Sequence, residues 1–398
     1  MFPLSARRTF TLLPATLAAA LLVTGCGANA QKDATATELA SVAPTGDTVN
    51  LDVADATGMS TEVPTTAVLA DATTMAPTMD PCHPHLFART GEVVWRLNAV
   101  FHRHLRHVEA LIKKNPTLLA GDTGVWSQTG GGLEVQRQLT VTRSASGLSY
   151  AFKLELAPAG QTPPVWVQVL SGTLDKSGGA TSTSPTVQDV AMDLDYDALR
   201  TVLPLEKLTG TVKVTFERTV DPTKPAPGVR KITTVTFAGF SFGPNDPHGK
   251  RDGTFTHVGE PGVGGSLTFQ DAVVLLCPAN PDKLVSDTTT VSRWYVAPSG
   301  NVHGRADAKS TSGQIPANDS WLGVTCYAGA RGAQPMASGE TAYWAMKLED
   351  ATGATVAGST HSAGDAIACD AAFGAVPKLT DSSADFDFTK QVSFPNQW

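Results

Sequence analysis

Three groups of side chains in this sequence have types and spacings that chemistry can use. The densest is histidine: His83, His85, His102, His104 and His107 are five of the nine in the chain, and Cys82 adjoins the first. Imidazole and thiolate are common ligands of zinc and other transition metals, so residues 83–107 form the candidate metal-binding or envelope-enzyme segment. On a helix, at about 100° per residue, His102 and His104 project about 160° apart, and only His104 and His107 share a face. A metal centre would need residues 83–85 to fold back over that face. The competing account is a basic polar face, which Arg89, Arg96, Arg103 and Arg106 extend. On this pattern no metal ligand and no cofactor is assigned.

The second group is Gly239-Phe240-Ser241-Phe242-Gly243, the G-x-S-x-G spacing in which a sharp strand-to-helix turn presents a serine hydroxyl. His248 and His257 follow downstream as possible bases. The residues directly after it, Pro244-Asn245-Asp246-Pro247, favour a turn over a helix, so no catalytic residue is assigned. The third group is Asp193, Asp195 and Asp197. They alternate like the start of a calcium loop, but Ala198 and Pro204 stand where that loop needs Gly and Glu. Asp195 or Asp197 capping a short helix is the simpler role. The chain is read as non-enzymatic.

The elements that must position these groups are legible in the hydrophobic period. Between residues 90 and 114, Val94, Leu97, Phe101, Leu105, Val108 and Ile112 recur at steps of three and four, which predicts an amphipathic helix. Thr90 is its expected cap, Glu92 falls in its first turn, and Asn115-Pro116 stops it. The period then changes to two. Leu148, Tyr150, Phe152, Leu154 and Leu156 alternate with polar or small residues, and similar runs recur at 165–169, 212–216, 235–237 and 267–269. Residues 195–203 read as a second short helix. The pattern lapses around 278–287 and resumes as strands at 291–296, 321–327 and 343–348. The expected fold is therefore mainly β: an extended antiparallel meander, half-barrel or sandwich, with one long N-terminal amphipathic helix packed on it. Trp126, Trp166, Trp294, Trp321, Trp344 and Trp398 are spread along it and suit core packing.

The N-terminus carries the most specific signal. Arg7 and Arg8 precede an uncharged, largely apolar run from Phe10 to Val23, which is shorter than the roughly 20 residues a spanning helix needs. It fits a secretory signal. The run ends in Val23-Thr24-Gly25-Cys26, which resembles the lipobox of bacterial lipoprotein precursors. That resemblance implies cleavage before Cys26, a diacylglycerol on its thiol, and anchoring to a membrane of the bacterial cell envelope. Gly27 in place of Asp then favours the outer membrane, with the body facing the periplasm or the cell surface. Arg7-Arg8-Thr9-Phe10 also partly resembles a twin-arginine export signal, leaving that route and the general secretory one both open.

These readings divide the chain into a signal peptide (1–25), a lipidated N-terminus with an acidic disordered tether (26–80), a helix-plus-β domain (81–277) and a C-terminal β region (289–398). That last region is either a second domain or more of the same sheet. The tether is expected because residues 27–80 set eight acids against the single base Lys32 and show no sustained period. Four cysteines remain beside Cys26. Cys82, Cys277, Cys326 and Cys369 are disulfide candidates in an oxidising compartment, and their separations favour Cys326–Cys369 with Cys82–Cys277. A net charge of −7 argues against a nucleic-acid partner. One helix followed by a long meander over residues 85–276 is similar, in element order alone, to half-barrel lipoprotein carriers. That likeness implies a hollow for lipid or another apolar ligand and transfers no functional residue. A protein-interaction scaffold working through a sheet edge is the other non-enzymatic reading.

Overall fold

The computed structural model describes residues 26–51 and 86–366, except 131, 179–183, 224–227, 245–249, 261–263, 272–273, 276–283, 287, 297–300 and 331–340. The expected signal peptide, residues 52–80 of the expected tether, His83, His85, His248, Cys82, Cys277, Cys369 and Trp398 lie outside the described residues. Among the described residues three helices precede the strands: α1 (Cys26–Ser41), α2 (Gly46–Val49) and α3 (Leu86–Ile112). A fourth, α4 (Tyr196–Val202), interrupts them.

The chain is dominated by one antiparallel sheet of 15 strands. Its first ten strands run in sequence order: β1 (Leu118–Ala120), β2 (Thr123–Gln128), β3 (Val135–Arg143), β4 (Ser149–Pro158), β5 (Val167–Gly178), β6 (Thr186–Asp195), β7 (Thr209–Val220), β8 (Val229–Ser241), β9 (Arg251–Glu260) and β10 (Gly264–Asp271). Three very short strands, β11 (Val274–Leu275), β12 (Leu284–Ser286) and β15 (Ser312–Gly313), form a separate small sheet. The large sheet continues without them through β13 (Thr288–Val296), β14 (Asn301–Ser310), β16 (Ser320–Ala330), β17 (Thr341–Glu349) and β18 (His361–Gly364). β10 pairs with β13 from Gly264↔Tyr295 to Asp271↔Thr288, so the interval around 278–287 is an insertion beside one continuous sheet.

Alternation builds each long strand. In β4, Tyr150, Phe152, Leu154 and Leu156 are buried, while Ala151, Lys153 and Glu155 face outward. Leu148 belongs to the turn before it and is 56% exposed, a correction to the run read from sequence. A single line of directly opposed residues crosses the sheet: Thr123, Thr142, Ala151, Thr173, Ala191, Thr215, Thr234, Thr256, Thr268, Val291, Asp307, Val324, Ala345 and Ser362. In most of the long strands it passes close to the middle, so neighbouring strands show little progressive stagger. Closure into a barrel needs a fixed shear, and this sheet stays open. Its edges are β1 and β18, both short, which limits edge-to-edge pairing.

The other face carries the core. One apolar cluster joins Leu39 of α1, Val94, Leu97, Phe101, Leu105 and Val108 of α3, Leu199 of α4, and inward residues from β2 to β17. Burying each Leu, Val or Phe contributes about 1.5–3 kcal/mol. α3 packs on β2 and β3 and also on β13, β14 and β16. Large rings lie over glycines on the sheet floor: a Cβ on Gly124 would stand 2.7 Å from Trp126, on Gly265 2.5 Å from Trp294, and on Gly323 2.5 Å from Trp321.

Two expectations about the helices need correction. α3 starts at Leu86, so Thr90 is internal and its hydroxyl donates back to the Leu86 carbonyl at 3.0 Å instead of capping the helix; Glu92 lies beyond the first turn. The acidic stretch after Cys26 is not a free tether throughout. Leu39, Val42, Val49 and Leu51 are buried, and Asn98 of α3 holds the Leu51 backbone from both sides, at 2.8 and 3.0 Å. Glu38 pairs with Arg143 at 2.9 Å and accepts the Tyr150 hydroxyl at 2.6 Å, which holds its carboxyl below the usual range. The few apolar residues of residues 38–51 are enough, because the sheet and α3 supply the complementary surface.

Candidate functional site

α3 carries the histidines. His104 and His107, one turn apart, are 0% and 1% exposed and lie within the packed interior. The His104 ring meets Tyr196 edge-on at 4.7 Å, and its Nε2 lies 3.4 Å from the Asp195 carbonyl oxygen. The Tyr196 hydroxyl in turn donates to the Val100 carbonyl, so β6, α4 and α3 are tied at one point. Neither ring nitrogen of His107 has a hydrogen-bond partner among the described residues. Burial pushes His104 down to about 4, and pushes His107 down to about 2 with Arg106 and Arg137 adding to the effect. Both rings are therefore neutral at pH 7. The arginines of the same helix have carboxylates nearby: Arg103 lies 3.7 Å from Glu206, and Arg106 3.9 Å from Glu134.

Neutral imidazoles can ligate a metal, but only where further donors converge. Among the described residues no three His, Cys, Asp or Glu side chains are grouped as a metal site requires. His104 and His107 face a packed interior.

The serine is placed differently from a nucleophile. Ser241 ends β8, is buried, and exchanges hydrogen bonds with Gly243: its Oγ donates to the carbonyl at 3.0 Å and accepts from the amide at 3.2 Å. A bulge at Phe237–Phe240 precedes it, and the next element among the described residues is the strand β9. Its neighbours are the rings of Phe240 and Phe242, 5.0 Å apart. His257 sits on β9 opposite Thr233, eight residues along β8 from Ser241, a separation of about 26 Å. The two cannot form a dyad.

The aspartates also separate. Asp195 accepts the Ala198 amide at 2.8 Å as the cap of α4, the role its position in the sequence favoured. Asp193 faces outward on β6, and Asp197 is exposed in the first turn of α4.

One polar constellation was missed in the sequence. On the outward face of β13 and β14, Arg293 and Arg305 stand directly opposite each other, and Asp307 bridges them. The Arg305 guanidinium reaches both Asp307 oxygens, with Nη2 2.6 Å from one and Nε 2.8 Å from the other. The three side chains are 4%, 2% and 1% exposed. Burial lowers Arg293 to about 10, against the pull of Asp307. Beside them Leu322, Val324, Ala345 and Tyr343 form a second apolar cluster, and Lys347 pairs with Glu349 at 2.6 Å. In sequence, Arg305-Ala306-Asp307 reads as an ordinary solvated strand face. Only the register with β13 and the burial of that face turn it into an ionic core. Cys326 lies in the same layer, opposite Arg305, and is disulfide-bonded.

Two shallow grooves of about 350 and 220 Å³ cross the outward face of β5–β8. The larger is lined by Asp175, Asp189 and Glu217, which are directly opposed on three neighbouring strands. Of the tryptophans, Trp126, Trp294, Trp321 and Trp344 are buried in the core, and Trp166 is half-buried.

Comparison with protein-family models, with curated proteins and with solved structures finds no match. The geometry alone therefore bears on function. It brings together a helix-filled inner face, a polar outward face over β2–β9, and a buried ionic layer over β13–β17.

Proposed function

We propose that this protein is an exported lipoprotein of the bacterial cell envelope, lipid-anchored through Cys26, whose β body binds or supports a partner and does no catalysis. The observation that carries this reading is the apolar run ending in Thr24-Gly25-Cys26. α1 begins at Cys26, and Leu39, 13 residues on, is fully buried; at 1.5 Å per helical residue that is about 20 Å. A body so attached through α1 rides close to the bilayer, and residues 38–51 of the acidic stretch take part in that attachment. Two or three acyl chains give durable anchoring where one gives marginal binding.

The finer architecture belongs to the same proposal. α3 meets β2 and β3 near one end of the strand order and β13, β14 and β16 near the other. A sheet that touches one helix from both ends must curve around it, which is the half-barrel form. That hollow is filled by the chain's own helices, so an apolar ligand would have to displace α3 or α1. This favours a protein partner meeting the outward face or a sheet edge over a lipid cargo.

The test is Cys26→Ala with fractionation and intact-mass measurement. The wild type is expected in the membrane fraction, cleaved before Cys26 and heavier by a diacylglycerol; the variant is expected in the soluble fraction. A variant that stays with the membrane overturns the anchoring. Native mass spectrometry of the soluble variant is expected to show a bare chain, whereas copurified fatty acid would restore the carrier reading.

A further inference from the structure

We propose that Arg106, His107, Gln128 and Arg137 form a binding site for a phosphate group at the rim of the helix-covered face, between α3 and the facing ends of β2 and β3. Strand register builds one side of it. Gln128 ends β2 directly opposite Arg137 on β3, and both project on the face of Trp126 and Leu139, where α3 packs. Leu156 of β4 stands opposite Arg137 on its other side and is fully buried, so one wall is apolar. α3 supplies Arg106 and His107 as consecutive residues.

The polar atoms of these four residues are buried without partners. Nε of Arg106, Nε of Arg137, Oε1 of Gln128 and both ring nitrogens of His107 have no hydrogen-bond partner among the described residues. Such atoms are rare in a folded interior, and several of them together mark the place of something that binds. Burial, then Arg106 and Arg137, depress the His107 ring, so both guanidinium groups lie beside it. Burial and then Arg106 also lower Arg137, against the pull of Glu134. Positive charge is in excess here. Glu134 lies 3.9 Å from Arg106, beyond hydrogen-bond distance, and its side chain is 59% exposed.

Water would satisfy the nitrogens but not the charge; an anion does both. The two guanidinium groups donate, as does the N–H of a neutral imidazole and, with its amide turned over, the NH2 of Gln128. These donors come from three elements and approach from several directions, which suits a tetrahedral oxyanion better than a planar carboxylate. Arginine also pairs with phosphate through two nitrogens at once. The rim is open, since the Arg106 side chain is 37% exposed, so the phosphate is within reach as part of a soluble ester or of a lipid headgroup. The site does not depend on the anchoring proposal.

The experiment is calorimetric titration of the full chain carrying Cys26→Ala, which removes the expected anchor, with inorganic phosphate in a chloride buffer. Binding of one equivalent with a Kd below about 1 mM is expected. Arg137→Gln is expected to weaken it by about tenfold or more, and Lys213→Gln, which removes an exposed cation of β7, to leave it unchanged. Should Arg137→Gln not fold, Arg106→Gln at the half-exposed rim takes its place with the same expectation. No saturable binding by the parent chain overturns the site without recourse to any variant. Equal affinity in the arginine variant, or equal weakening in Lys213→Gln, overturns it too. Flotation with phosphatidylcholine vesicles containing phosphatidylglycerol then separates the sources. Co-flotation that inorganic phosphate abolishes identifies a lipid headgroup, and calorimetric binding without co-flotation identifies a soluble ester.

Discussion

Strands β3–β9 and strands β13–β17 follow the same two-residue alternation, yet their outward faces have opposite surroundings. In the earlier group that face is solvated or half-solvated: Ala151, Thr173, Asp175, Asp189 and Glu217 are exposed, and Thr215, Thr234 and Thr256 are intermediate. In the later group both faces are buried, from Val291 through Asp307 to Val324 and Ala345. The difference in chemistry follows. A solvated face can set three carboxylates directly opposite one another, as Asp175, Asp189 and Glu217 are, because water screens them. A buried face cannot leave Arg293 opposite Arg305 without an anion between them, and Asp307 fills that place. Identical periodicity thus specifies a strand, and only the cover on its second face decides whether a charge there is decoration or part of the core.

The sharpest break of this comparison is Asp307→Ala. It would remove the anion that Arg293 and Arg305 share in a buried layer, and removing one partner of a buried ionic group costs about 3–5 kcal/mol. Urea unfolding is expected to show that loss with an unchanged slope. A loss below about 1 kcal/mol would mean that water reaches the layer and that β13–β17 resemble β3–β9 after all.

The inner face offers the next largest effect, through acid. His104 and His107 are held neutral by burial, with folded values near 4 and 2 against an ordinary 6.5. Arg106 acts on both rings, and Arg137 and the neighbouring rings of His104 and His102 act on His107 as well; the uncharged contacts of His104 are Tyr196 and the carbonyls of Asp195 and Val169. Because the folded values are depressed, the unfolded chain binds protons first. The stability they permit is complete above about pH 6.5 and is lost as pH falls below it, by up to about 1.4 kcal/mol per pH unit for each ring. Unfolding at pH 7 and pH 5 is expected to differ by roughly 2–4 kcal/mol. His107→Leu, which removes two unpartnered nitrogens, should flatten the acid limb. A wild-type profile flat between pH 7 and pH 5 would show that these rings reach solvent.

How far the sequence foretold all this depends on whether the signal was local. Tyr150, Phe152, Leu154 and Leu156 disclosed β4 because alternation is a property of neighbours in the chain. Asp195 disclosed its cap for the same reason, three residues from the amide it accepts. The ionic layer was hidden because Arg293 and Asp307 are 14 residues apart and meet only through strand register. Residues 38–51 were misread for a related reason: Glu38, Leu39 and Leu51 are too sparse to form a core alone, and their partners Arg143, Tyr150 and Asn98 are remote in sequence. The histidine and serine motifs carried no assignment, because spacing says nothing about what faces what. His104 faces Tyr196, and Ser241 faces its own turn.

The smallest predicted effect completes the comparison from its other side. Lys153 and Glu155 of β4 form a pair at 3.0 Å on the outward face, and it resembles the Arg305–Asp307 pair in being two residues apart on one strand. Its surroundings differ. The lysine is 44% exposed and the carboxylate 15%, where Arg305 and Asp307 are 2% and 1%. Exposed or half-exposed pairs contribute about 0–1 kcal/mol, since water solvates either partner left alone. Glu155→Ala is expected to lower stability by less than about 1 kcal/mol, and added salt should shrink even that difference. A cost near that of Asp307→Ala would mean that something dry covers β4 as well, and the place to look for the partner would move from the outward face of β3–β9 to the edges at β1 and β18.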